Sequence, residues 1–70
     1  MKHLIVNIDK LNWEISRLFG KDELAFCLRC SMETITLYKI RKHKSTTMRK
    51  VSVMADVLHV DPLHLVSQEG

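Results

Sequence analysis

Aromatic residues make up only 6% of this chain of 70 residues, and it has two glycines and one proline. A turn-rich all-β protein needs more of all three. Together with the 46% hydrophobic share, the shortage points to a helical fold. No apolar run is long enough to span a bilayer, and Met1 to Ile8 lacks the length and cleavage signal of a secretory leader, so a cytoplasmic protein is expected. There are two cysteines, and without an extracellular context they are expected to stay reduced rather than build a disulfide scaffold. The chain has no glycine-rich phosphate loop and no cluster of carboxylates. His3, His43, His59 and His64 are scattered, with neither metal-ligand spacing nor a paired Ser or Cys nucleophile. An enzyme is not expected, nor is a metal or other cofactor.

One further absence is local. From Thr34 through Ala55 there is no Asp or Glu, while Lys39, Arg41, Lys42, Lys44, Arg49 and Lys50 fall inside that window. The formal net charge of +3 and the isoelectric point near 9.1 are modest, so what matters is the one-sided placement. A basic stretch of this kind attracts a polyanion, with a phosphate backbone the obvious candidate. The length implies a single domain over 1–70, whose core supplies about 3–5 kcal/mol of net stability unless a partner subunit adds area. Dimerisation is therefore expected.

The opening Leu4-Ile5-Val6 favours β structure and reads as an N-terminal arm over 1–7 or an edge strand, able to pair with its copy in a second subunit. Asn7 or Asp9 can cap a first helix whose apolar stripe is Ile8, Leu11, Ile15, Leu18 and Phe19, with Trp13 on another side and Gly20 ending it. A second helix spans roughly 22–28, with Leu24, Ala25 and Leu28 inward. A third runs from about Met32 to Arg41, with Ile35 and Tyr38 one turn apart. Ser45, Thr46 and Thr47 offer hydroxyl caps to a fourth helix, with Met48, Val51, Met54, Ala55 and Leu58 as its main stripe and Val53 and Val57 off it. Asp61 caps, and Pro62 opens, a last short helix carrying Leu63 and Val66.

Residues 21–66, KDELAFCLRCSMETITLYKIRKHKSTTMRKVSVMADVLHVDPLHLV, resemble the phage-repressor and Cro-type helix-turn-helix family. The resemblance lies in KDELAFCL, with Ala25 at the small-residue position of the second helix, in Ile35 at the spacing of the buried residue of the third, and in TTMRKVSVMADVLHVDPLHLV at the end. It implies an all-α, lambda-repressor-like five-helix bundle, with the helix-turn-helix over 21–41 binding operator DNA as a homodimer. The chain departs from the family pattern at Arg29, which stands at the usual turn glycine, and at His59, which replaces a glycine after the fourth helix. TLYKI also matches the family with Leu37 and Ile40 as the buried pair; the spacing from Ala25 favours Ile35 and Tyr38.

On that register the resemblance gives the third helix, about 32–41, to the major groove, with Ser31, Met32, Glu33, Thr36 and Leu37 reading bases. Lys21, Lys39, Arg41, Lys42, Lys44 and Arg49 would hold phosphates. Ser31 and Thr36 could hydrogen-bond, Glu33 could accept from cytosine, and Met32 or Leu37 could touch a thymine methyl. No Arg, Asn or Gln stands at the start of that helix, so affinity is better provided for than specificity. The implied function is a sequence-specific transcriptional regulator. The alternative is a modulator or antirepressor that binds another repressor protein through exposed apolar residues, Trp13, Val53 and Val57 included. Cys27 and Cys30 form a CxxC without a second pair, which points to packing rather than zinc or redox chemistry. Met48 and Met54 read as core filling.

Overall fold

Asn7 Oδ1 accepts the Lys10 amide at 3.1 Å and opens α1, Ile8–Phe19. Gly20 ends it with φ 61°, a left-handed conformation that glycine adopts without steric cost. The computed structural model describes residues 3–67. After Gly20, Asp22 Oδ1 accepts the Ala25 amide at 3.1 Å and starts α2, Glu23–Arg29. The turn through Cys30–Glu33 leads into α3, Thr34–His43. Lys44, with φ 55°, then turns the chain into a short strand β2, Ser45–Thr47. Thr47 Oγ1 accepts the Lys50 amide at 3.4 Å and caps α4, Met48–Leu58. His59 leaves that helix at φ 59°, ψ 42°, a geometry His bears in place of glycine. Asp61 caps a closing 3-10 turn, Pro62–Leu65.

The described residues are therefore mostly helical, with four α-helices, the 3-10 turn and a small sheet among them. The expected five-helix bundle is corrected in its last member, for a local reason. Val66 is extended, at φ −95° and ψ 134°, because it bridges antiparallel to Val6 and so stops the helix that Pro62 begins. The N-terminal segment is a true strand, β1, His3–Ile5, antiparallel to β2 with Leu4 opposite Thr46. The chain itself occupies both of its edges. Val6 N–H donates to the Lys44 carbonyl at 2.9 Å on one side, while Asn7 N–H donates to Leu65 and Ser67 N–H to Ile5, each at 2.8 Å, on the other. Pairing of this strand with its copy in a second subunit would have to displace those bonds.

The core joins Leu11 and Ile15 of α1, Phe26 and Cys27 of α2 with Cys30 just after it, Leu37 and Ile40 of α3, Val51, Met54, Ala55 and Leu58 of α4, and Val6 and Leu65 from the two ends. Phe19 meets Phe26 edge to face, with ring centroids 5.5 Å apart. Two helical faces differ from the sequence expectation. On α2 the inward residues are Phe26 and Cys27, continued by Cys30, while Leu24 and Leu28 are exposed and Ala25 is half-buried. On α3, Leu37 is 2% exposed and Ile40 is buried, whereas Ile35 and Tyr38 are 50% and 58% exposed. Both shifts are one correction: Cys27 and Leu37 are separated as Ala25 and Ile35 are, so the contact between the helices slides by two residues with no insertion. The left-handed turn residue moves with it. Ser31, at φ 55°, takes the conformation expected of a turn glycine, and Arg29 stays in the last turn of α2. Leu18, Met48 and Val53 also prove exposed, and Val57 is half-buried.

Candidate nucleic-acid interface

α3 has two opposite faces. Leu37 and Ile40 point inward, so Ile35, Tyr38, Lys39 and Lys42, at offsets of three, four and seven, form one outward stripe, and all are exposed. Glu33 and Thr34 stand exposed at its start, with Thr36 half-buried on one flank. Glu33 occupies the N-cap position but makes no side-chain capping bond, which leaves its carboxylate free of that duty. An α-helix with its side chains is about 10–12 Å across, which suits the roughly 12 Å width of a B-DNA major groove, and ten residues run about 15 Å along it.

Cations sit at both ends of this stripe. Lys42 and Lys44 lie at its C-terminal end, where they also complement the helix dipole. Arg49 and Lys50, in the first turn of α4, share the lining of a shallow cavity of about 140 Å³ with Ser31, Met32 and Val53, beside the N-terminal approach to α3. Lys39, Lys42, Lys44, Arg49 and Lys50 have no ion-pair partner among the described residues. Lys21 is exposed in the link between α1 and α2.

Two residues assigned to this interface from sequence are placed elsewhere. Leu37 cannot touch a base, because it is buried in the core. Arg41 is not a free phosphate ligand: its Nη1 and Nη2 donate to the two carboxylate oxygens of Glu23 at 2.9 and 2.6 Å, and its Nε donates to Asn12 Oδ1 at 2.9 Å. The Arg41 guanidinium holds the Glu23 carboxyl below the usual carboxylate range, and Glu23 in turn raises Arg41. Of the remaining expected base readers, Ser31 and Glu33 are exposed, and Met32 and Thr36 are half-buried. Thr34, Ile35 and Tyr38, which share this surface, were not assigned to it from sequence, and Lys50 was counted in the basic window but not among the phosphate ligands. The available signal was Cys27, a second small residue in α2 that pairs with Leu37 at the same spacing.

Cys27 and Cys30 are free thiols in the core. Burial pushes both up, Cys30 to about 11, so neither is a thiolate at neutral pH. Among the described residues no group of three His, Cys, Asp or Glu side chains could hold a metal ion, and no helix is long and apolar enough to cross a membrane. No protein-family model, curated protein or solved structure matches the chain.

Proposed function

We propose that this chain is a duplex-DNA-binding transcriptional regulator of the helix-turn-helix type, similar to phage repressors and Cro proteins, with α3 in the major groove. The observation that carries the reading is the exposed stripe Ile35, Tyr38, Lys39 and Lys42, flanked at both ends by cations that have no ion-pair partner among the described residues. Ile35 and the Tyr38 ring suit the methyl group of thymine. The Thr34 and Tyr38 hydroxyls can donate or accept at base edges, and Glu33 can accept from a cytosine amine. Lys39, Lys42, Lys44, Arg49 and Lys50 supply phosphate contacts, which set affinity and register without reading sequence. One helix of this length covers few base pairs, so useful affinity calls for a homodimer on a two-fold operator. No cofactor enters this scheme.

A second reading has its own observation. Leu24 and Leu28, on the outer side of α2, are 58% and 70% exposed, and with Ile35 and Tyr38 they would suit an apolar protein partner such as another repressor. Fluorescence anisotropy with a randomised duplex pool at two salt concentrations separates the readings. DNA binding should weaken log-linearly with salt, by several-fold or more per doubling, whereas binding to a protein through an apolar face should hardly respond. Absence of any salt-dependent duplex binding would overturn the first reading.

A further inference from the structure

We infer that Arg41 is a positioning residue: its clasp on Glu23 and Asn12 sets the rotation of α3 about its own axis, and so decides which side chains face the groove. The inference rests on the DNA-binding reading and adds to it a residue that governs specificity without touching DNA. One guanidinium joins three helices. Nε reaches Asn12 in the middle of α1, and both terminal nitrogens reach Glu23, the first residue of α2, from near the C-terminal end of α3. Apart from this clasp, α3 is anchored by only two buried residues, Leu37 and Ile40. Apolar contacts of that kind are non-directional and tolerate a helix rolling by part of a turn. A two-pronged Arg–carboxylate pair is directional, and a third bond from Nε leaves the fork little freedom. Ile35 makes the angle matter, because a roll of one residue would put Thr34 or Thr36, according to its direction, in its place on the outward face. The N-cap of α3 lacks a side-chain bond, and at its other end left-handed Lys44 is held by backbone alone, its carbonyl accepting from Val6 N–H at 2.9 Å.

Charge gives the inference a test in which the alternatives differ in sequence preference. Glu23→Gln removes a negative charge beside the interface. If Glu23 were only a local charge, duplexes of every sequence would bind more tightly. On the positioning account, generic affinity holds or rises while the preference for the selected sequence collapses. Arg41→Lys keeps the charge and loses the fork, so a phosphate-binding role predicts little change and a positioning role predicts lost preference.

The experiment measures dissociation constants of the full chain, Glu23→Gln and Arg41→Lys for the duplex selected by the unaltered protein and for a scrambled duplex. Each is measured at a temperature where circular dichroism shows full folding. The preferred-to-scrambled ratio should fall roughly tenfold or more in both variants, the loss of at least about one base contact per complex. An unchanged ratio in Arg41→Lys would overturn the inference. A second readout needs no DNA: residual dipolar couplings of the α3 amides relative to α1 should change in both variants, and identical couplings would equally overturn it. Should the unaltered protein bind no duplex, the functional reading fails by itself, and the couplings still decide the clasp.

Discussion

His64 Nε2 lies 3.0 Å from Oε2 of Glu14, so the closing 3-10 turn is tied to the middle of α1 by a buried carboxylate. Glu14 is 4% exposed, on the side of α1 that carries Leu11 and Ile15, and its other oxygen accepts from Arg17 Nε at 2.8 Å. A carboxylate in such a place is tolerated because both of its oxygens are engaged.

This arrangement predicts acid sensitivity. The hydrogen bond from Arg17 is the main reason Glu14 titrates below its ordinary 4.5, with His64 adding to it and burial opposing. The unfolded chain then binds the proton first, so stability rises with pH across this window. The contribution is complete above the unfolded value and is lost as pH falls through the lower folded value. Thermal melts by circular dichroism between about pH 5 and about pH 3 should show the unaltered chain losing stability more steeply than Glu14→Gln. Parallel curves would remove Glu14 from the account.

Burial of Leu37 and exposure of Ile35 predict unequal costs on truncation. Leu37→Ala should destabilise by about 2–5 kcal/mol, a transfer and cavity cost, while Ile35→Ala should stay within about 1 kcal/mol. Urea denaturation measures both. A larger loss at Ile35 would restore the register that spacing from Ala25 suggests.

The turn gives a pair of opposite signs. Ser31 holds φ 55°, where a side chain is strained, so Ser31→Gly should raise stability by about 0.5–1 kcal/mol. Arg29 is helical, and Arg29→Gly should cost about 1 kcal/mol. If both glycines acted in the same direction, the turn would not be built as described.

For the DNA-facing stripe, Lys39→Ala and Lys42→Ala should weaken binding to every duplex and lower the salt slope by about one unit each. Tyr38→Ala and Ile35→Ala should instead change which sequence is preferred from a randomised pool. Four variants with the same loss on every duplex would show that α3 does not divide its work in this way.

Much of the frame was legible because it is written in local chemistry. Asn7, Thr47 and Asp61 cap the elements they precede, and Gly20 ends α1, while Asp22, expected inside the second helix, caps it. Val51, Met54, Ala55 and Leu58 repeat at helical spacing and are buried as that spacing requires. The β1 pairing was half legible: Leu4-Ile5-Val6 favoured a strand, but nothing in those residues named β2 and Val66 as partners. Within the candidate site, Lys39, Lys42, Lys44 and Arg49 were found from charge alone and lie exposed as expected. Arg41 looked identical to them in sequence, because its partners Glu23 and Asn12 are distant along the chain.

The sequence by itself determined within a residue or so where α1, α2 and α4 begin and end and that one stretch of the chain is basic, since caps, breakers and charge act over a few residues; α3, expected over about 32–41, runs two residues later at both ends. Only tertiary structure decided which way α2 and α3 face. Helices of seven and ten residues carrying apolar groups on more than one side can bury either set. The choice fell to Phe26, Cys27, Leu37 and Ile40 because those fit against α1 and α4, and Arg41 then locked it through groups contributed by two other helices.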